Sequence, residues 1–141
     1  MELSNLEMEG KRLPDFNFTD IKGKPYNNYV MNGKIIVLKC WFIHCVRCVQ
    51  EFPEVNKLVD SYKQKNDVLF ISLATDSKAQ LDSFLKTNPL NYAVIPNMEK
   101  YMSDSLKINE YPTHIVVDKK GIIIKVVNDV NDLVSFLKKV L

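Results

Sequence analysis

The sequence predicts an α/β fold, with a central mixed β-sheet flanked by helices and an N-terminal β-hairpin. Two nearly continuous apolar runs, residues 34–42 and 68–74, are typical of strands that are buried on both faces of a sheet. Each run is followed by a segment with the period of an amphipathic helix. A hairpin pattern and a last amphipathic segment close the chain, and this order of elements predicts helices packed on a mixed sheet.

Composition and charge limit the class of protein. The chain has 141 residues, enough for one domain, and its 46% hydrophobic and 26% charged residues are typical of a globular protein. The net charge of +2 comes from interspersed charges of both signs, so nucleic acid is not an expected partner. We predict a flexible lead-in over residues 1–12 and a single domain over residues 13–141.

The apolar segments are too short to suggest a membrane span. A spanning helix needs roughly 20 apolar residues, and no stretch approaches that length. The first residues lack the basic and apolar regions of a secretory signal. Two locations remain open: the cytoplasm, or an extracytoplasmic compartment if a native leader was removed.

The first half of the domain predicts a hairpin, a strand and a bent helix. Phe16 and Phe18 alternate with polar residues before a turn-forming segment at residues 20–24, which predicts the hairpin. The strand at residues 34–42 leads into a segment of helical period. Its apolar stripe consists of Val49, Phe52, Val55, Leu58, Val59 and Tyr62. Pro53 interrupts this stripe, and we expect a kink because a proline inside a helix removes a backbone donor.

The second half predicts another strand, further helices and a second hairpin. The strand at residues 68–74 precedes a capping box formed by Ser77 and Gln80, which opens a helix. The remaining predictions are a loop at residues 90–110 that contains a short helix at 99–106, hairpin strands at 113–118 and 122–127, and a closing amphipathic helix at 130–141.

Two of the three cysteines, Cys45 and Cys48, lie where the central strand passes into a helix. A sulfur at a helix N-terminus faces unpaired N–H groups and the positive end of the helix dipole, which stabilise a thiolate. Lowering a thiol pKa from about 8.5 to about 7 raises the thiolate fraction at neutral pH from roughly 3% to about half. Cys48 lies one helical turn later and can displace a mixed disulfide formed on Cys45. This placement predicts redox chemistry.

Two other uses of the cysteine pair remain open. A structural disulfide would close so short a loop that chain entropy contributes roughly 2 kcal/mol, against about 3 kcal/mol for a loop of about fifteen residues. Half of a zinc site would need further ligands, but the chain has no second cysteine pair and its only histidines are His44 and His114. The third cysteine, Cys40, is predicted to be a small buried apolar residue.

Several motifs in order give the chain a family resemblance. Residues 39–48, KCWFIHCVRC, followed by EFPE at residues 51–54, resemble the active-site segment of thioredoxin-fold proteins, in particular the TlpA/ResA-like thiol-disulfide oxidoreductases, which are related to AhpC/TSA redoxins. Residues 13–16 resemble the N-terminal hairpin of that group, and residues 111–113 resemble its cis-proline loop. The resemblance covers residues 13–141, and its ordered motifs make it more specific than a lone Cys-x-x-Cys.

The resemblance implies a thioredoxin-like fold and the activity of a thiol-disulfide oxidoreductase. Cys45 attacks a substrate disulfide and Cys48 resolves the mixed disulfide, so the redox-active pair needs neither a dissociable cofactor nor a metal. The implied partners are protein thiols or disulfides and an upstream thiol electron donor or acceptor, and we expect a monomer. Proteins of this group mostly work outside the cytoplasm, which favours the periplasm or cell envelope over the cytoplasm.

The resemblance also implies which residues bind substrate. Pro112 would be cis and its loop would hold the substrate chain, although a trans proline at the start of a strand is the alternative. The implied substrate-binding residues are Trp41, His44, Arg47, Tyr111, Pro112 and Thr113. His44 and Arg47 replace the Trp and Pro of the familiar Trp-Cys-Gly-Pro-Cys, and their positive charge predicts a couple more oxidising than thioredoxin, which lies at about −270 mV. Alternatively, both side chains point into solvent and their charge is screened.

Lys39 stands where relatives usually carry a buried Asp or Asn. A lysine in an apolar strand needs a partner or a depressed pKa, and Glu51, on the helix face of Cys48, is the natural partner. We predict that Lys39 and Glu51 form a partly buried pair behind the disulfide and that Glu51 relays the proton of Cys48. The alternative is a lysine that extends into solvent at a sheet edge beside a solvated glutamate.

Three other functions remain open. A thiol peroxidase is one, but Phe42 stands where the peroxiredoxin motif Pro-x-x-x-Thr-x-x-Cys has its threonine. A second is a peptide-binding module without catalysis, which would recognise its partners through the Pro112 loop. The third is a metallochaperone that holds copper or zinc with His44 and the cysteines.

Overall fold

The computed structural model describes residues 3–141. Its helices are α1 (Leu3–Met8), α2 (Val46–Gln50), α3 (Phe52–Ser61), α4 (Lys78–Phe84) and α5 (Val130–Val140), with a π-helical turn at Tyr101–Ser105. Its strands are β1 (Asn17–Thr19), β2 (Pro25–Asn27), β3 (Ile35–Trp41), β4 (Val68–Ala74), β5 (Ala93–Ile95), β6 (Thr113–Val117) and β7 (Ile123–Val127). Among these helices, none has the length and apolar character that crossing a membrane requires.

The strands form a five-stranded sheet with the order β5-β4-β3-β6-β7 and a separate hairpin of β1 and β2. β3 lies at the centre, parallel to β4 and antiparallel to β6, so the sheet is mixed. The predicted mixed sheet with flanking helices and an N-terminal hairpin is confirmed. Its central strand ends directly at the cysteine pair.

The alternation of β3 divides the core into two sides. Leu38 and Cys40 face the side that is covered by the hairpin, α1 and the π-helical turn. Val37 and Trp41 face the side that is covered by the helices α2 to α5. Lys39 shares the direction of Val37 and Trp41, so its side chain points beneath the helix that carries the cysteines.

The predicted kink at Pro53 is a break between two helices. α2 ends at Gln50 and α3 begins at Phe52, which places Pro53 in the first turn of α3. A first-turn proline lacks only an N–H that has no partner within the helix, so it costs little there. Glu51 is the residue between the two helices, and the break sets the direction of its side chain.

One strand is not predicted by the local sequence. Residues 90–110 are predicted as a loop with a short helix, but Ala93–Ile95 form β5 beside β4. Three residues are too few to show a strand period, so the pairing with β4 decides their conformation. The short helix is the π-helical turn, and the capping box of Ser77 and Gln80 is present at the start of α4.

The predicted lead-in contains a helix that contacts the sheet. In α1, Asn5 and Met8 are buried, and Asn5 Nδ2 donates to Asn128 Oδ1 at 2.8 Å. Glu9 accepts the Val126 N–H at 3.0 Å. Part of the predicted lead-in thus lies on the edge strand β7, which offers both backbone groups and apolar surface, and the flexibility expected of residues 1–12 stays a prediction. Residues 1 and 2 lie outside the described residues, and the domain boundary at residue 13 stays a prediction.

Candidate active site

The two cysteines of the motif form a disulfide at the start of α2. Cys45 is the N-cap residue, with φ −81° and ψ 99°, and its Sγ accepts the Cys48 N–H at 3.3 Å. The two Cα atoms are 5.3 Å apart. The helix N–H that would stabilise a thiolate therefore points at the Cys45 sulfur.

The two cysteines differ in exposure. Cys45 is 8% exposed, whereas Cys48 has no exposed surface. Val46 and Arg47, which lie between them, are exposed. A substrate sulfur can reach Cys45 from outside, and Cys48 can reach only what is already bound to Cys45. The geometry thus assigns the first attack to Cys45 and the resolving step to Cys48.

Two contacts hold the loop that precedes the disulfide. The Ile43 N–H donates to Asp76 Oδ2 at 2.9 Å. The ring of Phe42 packs edge to face on Tyr111, with the ring centroids 5.3 Å apart. This second contact joins the cysteine loop to the Pro112 loop, and the peptide bond before Pro112 is cis. Asp76 was missed by sequence reasoning; its signal is its place just after β4, at the same end of the parallel pair as the disulfide.

Polar contacts also fix the Pro112 loop. Asn128 Nδ2 donates to Pro112 O and to Thr113 Oγ1, both at 3.0 Å. The Thr113 hydroxyl donates to Glu110 O at 2.6 Å. Pro112 and Thr113 are buried, so these side chains shape the loop from within. A groove of about 470 Å³ lies beside the loop, lined in part by Arg47, Glu110 and Asn128.

The other predicted substrate-binding residues divide into exposed and buried groups. His44 and Arg47 are exposed beside the disulfide, and Tyr111 is half-buried. Trp41 has no exposed surface and packs under the cysteines against Phe52, with ring centroids 5.1 Å apart. This corrects the prediction that Trp41 binds substrate, because a side chain without exposed surface supports the site from below.

A row of buried polar side chains crosses the three central strands beneath α2 and α3. Lys39 of β3 is paired in register with Ser72 of β4 and with His114 of β6. All three residues have no exposed surface. Polar groups in the middle of a sheet are costly unless they find hydrogen-bond partners. The alternative of a lysine at a sheet edge is excluded, because β3 is the central strand.

Glu51 supplies the negative charge for this row. Its Oε1 accepts from Lys39 Nζ at 2.8 Å and from His114 Nε2 at 2.9 Å. Its Oε2 accepts the N–H of Val130, the first residue of α5, at 3.1 Å. The predicted Lys39–Glu51 pair is present, with the side chains 0% and 12% exposed. Its role in moving a proton stays a prediction.

Burial and charge shift the pKa of each group in this cluster. Burial lowers the pKa of Lys39, although the charge of Glu51 opposes the effect. Burial also lowers the pKa of His114, which favours the neutral imidazole. Burial alone would raise the pKa of Glu51, but the interactions with His114 and Lys39 outweigh it and hold that pKa below its ordinary value.

A comparison with known protein families identifies the family to which this site belongs. A family model described as AhpC/TSA matches residues 10–126, which is most of the chain. The chain belongs to the AhpC/TSA family. The matched segment includes the cysteine pair, the Pro112 loop and the three strands that carry the buried polar row.

Curated relatives of this AhpC/TSA-family chain carry redox names. The chain is 29% identical over 117 residues to the thioredoxin-like protein YneN of Bacillus subtilis, a match that covers 82% of this chain and 68% of the relative. It is 27% identical over 116 residues to the thiol-disulfide oxidoreductase ResA of Bacillus cereus, with 82% and 67% covered. The predicted resemblance to TlpA/ResA-like thiol-disulfide oxidoreductases is confirmed.

Solved structures show the same fold. The thioredoxin domain of the thiol-disulfide oxidoreductase BVU-2223 from Bacteroides vulgatus superposes with a TM-score of 0.82 at 22% identity, covering 93% of this chain and 96% of that one. The predicted thioredoxin-like fold is confirmed. The disulfide between Cys45 and Cys48 and the named relatives favour thiol-disulfide exchange over the peroxidase and the non-catalytic alternatives.

Cys40 does not belong to this site. It is fully buried on the opposite side of the sheet, and burial raises the pKa of its thiol to about 12. A thiol of this kind is inert as a nucleophile. As for metals, residues 3–141 contain no group of three or more His, Cys, Asp or Glu side chains that could hold an ion.

Proposed function

We propose that the protein exchanges disulfides with protein substrates through Cys45 and Cys48. The observation that carries this proposal is a disulfide in which one sulfur is accessible and caps a helix while the other is buried. In the reduced protein the Cys45 thiolate attacks a substrate disulfide, which forms a mixed disulfide and releases one substrate thiolate. Cys48 then attacks the Cys45 sulfur, which releases the second substrate thiolate and forms the internal disulfide. Two electrons pass from the protein to the substrate, and the reverse sequence oxidises a dithiol.

Glu51 is suited to the proton transfers of Cys48. Cys48 must lose its proton before it attacks, and it has no exposed surface from which water could remove that proton. Glu51 follows Cys48 by three residues on the same helical segment, and such pairs have Cβ atoms about 5–6 Å apart. We infer that the Glu51 carboxylate accepts the proton of Cys48 during resolution and returns it when the disulfide is reduced.

The Pro112 loop and its groove are suited to an extended peptide. Tyr111 is half-buried, packs on Phe42 of the cysteine loop and precedes the buried Pro112, so its backbone is suited to pair with an incoming chain as an added strand. Arg47 and Glu110 give the adjacent groove both signs of charge. We infer that His44, Arg47 and Tyr111 contact the substrate chain around its disulfide.

The remaining expectations belong to the same proposal. Both electrons reside in the cysteine pair, so no dissociable cofactor is needed. An upstream thiol donor or acceptor is expected to restore the pair, and the protein is expected to act as a monomer. The resemblance to the TlpA/ResA-like group supports a place in the periplasm or cell envelope, with the cytoplasm as the alternative.

Glu51→Gln tests this mechanism at its proton step. We expect the resolution of the mixed disulfide at neutral pH to slow about a hundredfold, because an amide cannot take up a proton. Stopped-flow fluorescence of the reduced protein with a disulfide-linked peptide, repeated over a range of pH, measures the rate. Glu54→Gln is the matched control: Glu54 is exposed in the first turn of α3, and within residues 3–141 its carboxylate pairs with Lys57 alone, at 3.5 Å. A Glu51→Gln variant whose rate follows the same pH dependence as wild type would refute the relay.

A further inference from the structure

His114 is a buried imidazole that contacts the carboxylate of Glu51, the residue three positions after Cys48. It lies on β6 in register with Lys39 and has no exposed surface. Its Nε2 is 2.9 Å from Glu51 Oε1, while its Nδ1 is buried without a hydrogen-bond partner in the part of the chain that the structure describes. Burying half of an imidazole unpaired is costly, so the contact with Glu51 must offset that cost.

The contact between His114 and Glu51 determines which ring nitrogen carries the hydrogen and keeps the carboxylate ionised. A carboxylate only accepts hydrogen bonds, so the hydrogen lies on Nε2 and the neutral ring keeps its lone pair on Nδ1. A second positive charge is disfavoured, since the Lys39 ammonium already lies 2.8 Å from the same oxygen. Glu51 Oε1 therefore accepts one neutral donor and one charged donor.

Groups on several elements face this pair. They are Lys39 on β3, Tyr92 before β5 and Asp129 at the N-cap of α5, while Cys48 lies on α2 three residues before Glu51. Burial, with a smaller contribution from the charge of Glu51, raises the pKa of Tyr92, so its hydroxyl stays neutral. Of the side chains around the carboxylate, Lys39 and His114 are the two that donate to it within residues 3–141.

We propose that His114 is a positioning residue for disulfide exchange: its Nε2–H, together with the Lys39 ammonium, keeps Glu51 ionised and oriented beneath Cys48. The inference rests on the proposed proton transfer by Glu51 and extends it to the residue that prepares the carboxylate. Glu51 is only 12% exposed, so water replaces a lost donor poorly. Without His114 the carboxylate holds its own proton to a higher pH, and a protonated Glu51 cannot accept the proton of Cys48.

The test combines a titration with a rate profile in the full chain. Carbon-13 NMR of the Glu51 carboxyl follows its ionisation, and stopped-flow fluorescence follows resolution over the same pH range. We expect His114→Leu to raise the midpoint of Glu51 by about one pH unit and to move the acidic limb of the rate profile upward by the same amount. His114→Gln keeps a side-chain N–H donor but cannot titrate, and we expect it to restore most of both values.

Matched variants keep the test decisive. Val116→Ala removes buried apolar surface from the same strand and the same face but takes away no side-chain hydrogen bond, so it should lower stability and leave both pH midpoints in place. His114→Asn, whose shorter amide does not span the distance to Glu51, replaces His114→Leu if that chain does not fold. These variants separate a loss of stability from a loss of the hydrogen bond.

Each contrary outcome has a distinct meaning. An equal Glu51 midpoint in wild type and His114→Leu would overturn the inference, whatever the exchange rate. A midpoint that rises while the rate profile stays in place would also overturn it, as would a His114→Gln chain that behaves like His114→Leu. Absence of exchange in the wild-type protein would refute the proposed function itself, and the carboxyl titration distinguishes that failure from the others.

Discussion

Cys45→Ser should lower the rate of disulfide exchange by at least about a thousandfold, because the reaction loses its only accessible nucleophile. Cys48 has no exposed surface, and Cys40 is buried on the other side of the sheet. The rate is measured by reduction of a fluorescent disulfide-linked peptide. Cys40→Ala is the matched control and should retain the wild-type rate.

Cys48→Ser should have a different effect, since the first attack remains and the second is lost. We expect the mixed disulfide between Cys45 and a substrate cysteine to accumulate, which intact-protein mass spectrometry detects directly. Applied to a cell extract, the same variant identifies the partner by its covalent link. If Cys48→Ser instead turned over normally, or if Cys45 accumulated only a sulfenic acid with peroxide, the resolving role of Cys48 would be wrong.

Lys39→Met should destabilise the oxidised protein by about 3–5 kcal/mol, the range found when one partner of a buried ion pair is removed. The side chains of Lys39 and Glu51 are 0% and 12% exposed, and their charged atoms lie 2.8 Å apart. After the substitution, the donors left to the carboxylate within residues 3–141 are His114 and the Val130 N–H, and both are uncharged. Urea denaturation measures the free energy of unfolding.

A double-mutant cycle identifies the cause of that loss. Lys39→Met/Glu51→Gln removes both charges, so it should recover most of the stability lost by Lys39→Met alone. Lys57→Met is the control, because Lys57 is an exposed lysine paired with Glu54 at 3.5 Å and its loss should change little. A double variant less stable than Lys39→Met alone would show that the ion pair is not what makes Lys39 necessary.

The sequence predicts the strands and the cysteine site well because their signals are local. The central strand needs only the apolar run before Cys45, and the redox pair needs only its spacing at a strand-to-helix junction. The pairing of Lys39 with Glu51 can also be predicted from the sequence. A lysine in a buried strand requires a carboxylate partner, and Glu51 lies on the helix face that points toward it. In contrast, β5 is defined by its pairing with β4, and three residues carry too little pattern to predict it.

The contacts of the site that the sequence does not predict depend on how the strands align with one another. His114 contacts Glu51 because β6 pairs with β3 in a register that places His114 beside Lys39, and no local pattern encodes that alignment. Asp76 reaches the Ile43 N–H in the same non-local way, across neighbouring strands. Trp41 shares the inward direction of Lys39, and tertiary packing against residues such as Phe52 and Phe84 removes its surface from solvent.

The central claim is that Cys45 carries the accessible, readily ionised sulfur and that Cys48 acts only from within. Alkylation of the reduced, folded protein by iodoacetamide over a range of pH, with the modified cysteine assigned by mass spectrometry, tests both halves together. We expect Cys45 to be modified first, with a midpoint clearly below the ordinary thiol value of about 8.5, while Cys48 and Cys40 stay unmodified. A midpoint at or above that value, or modification of Cys48 before Cys45, would contradict the claim.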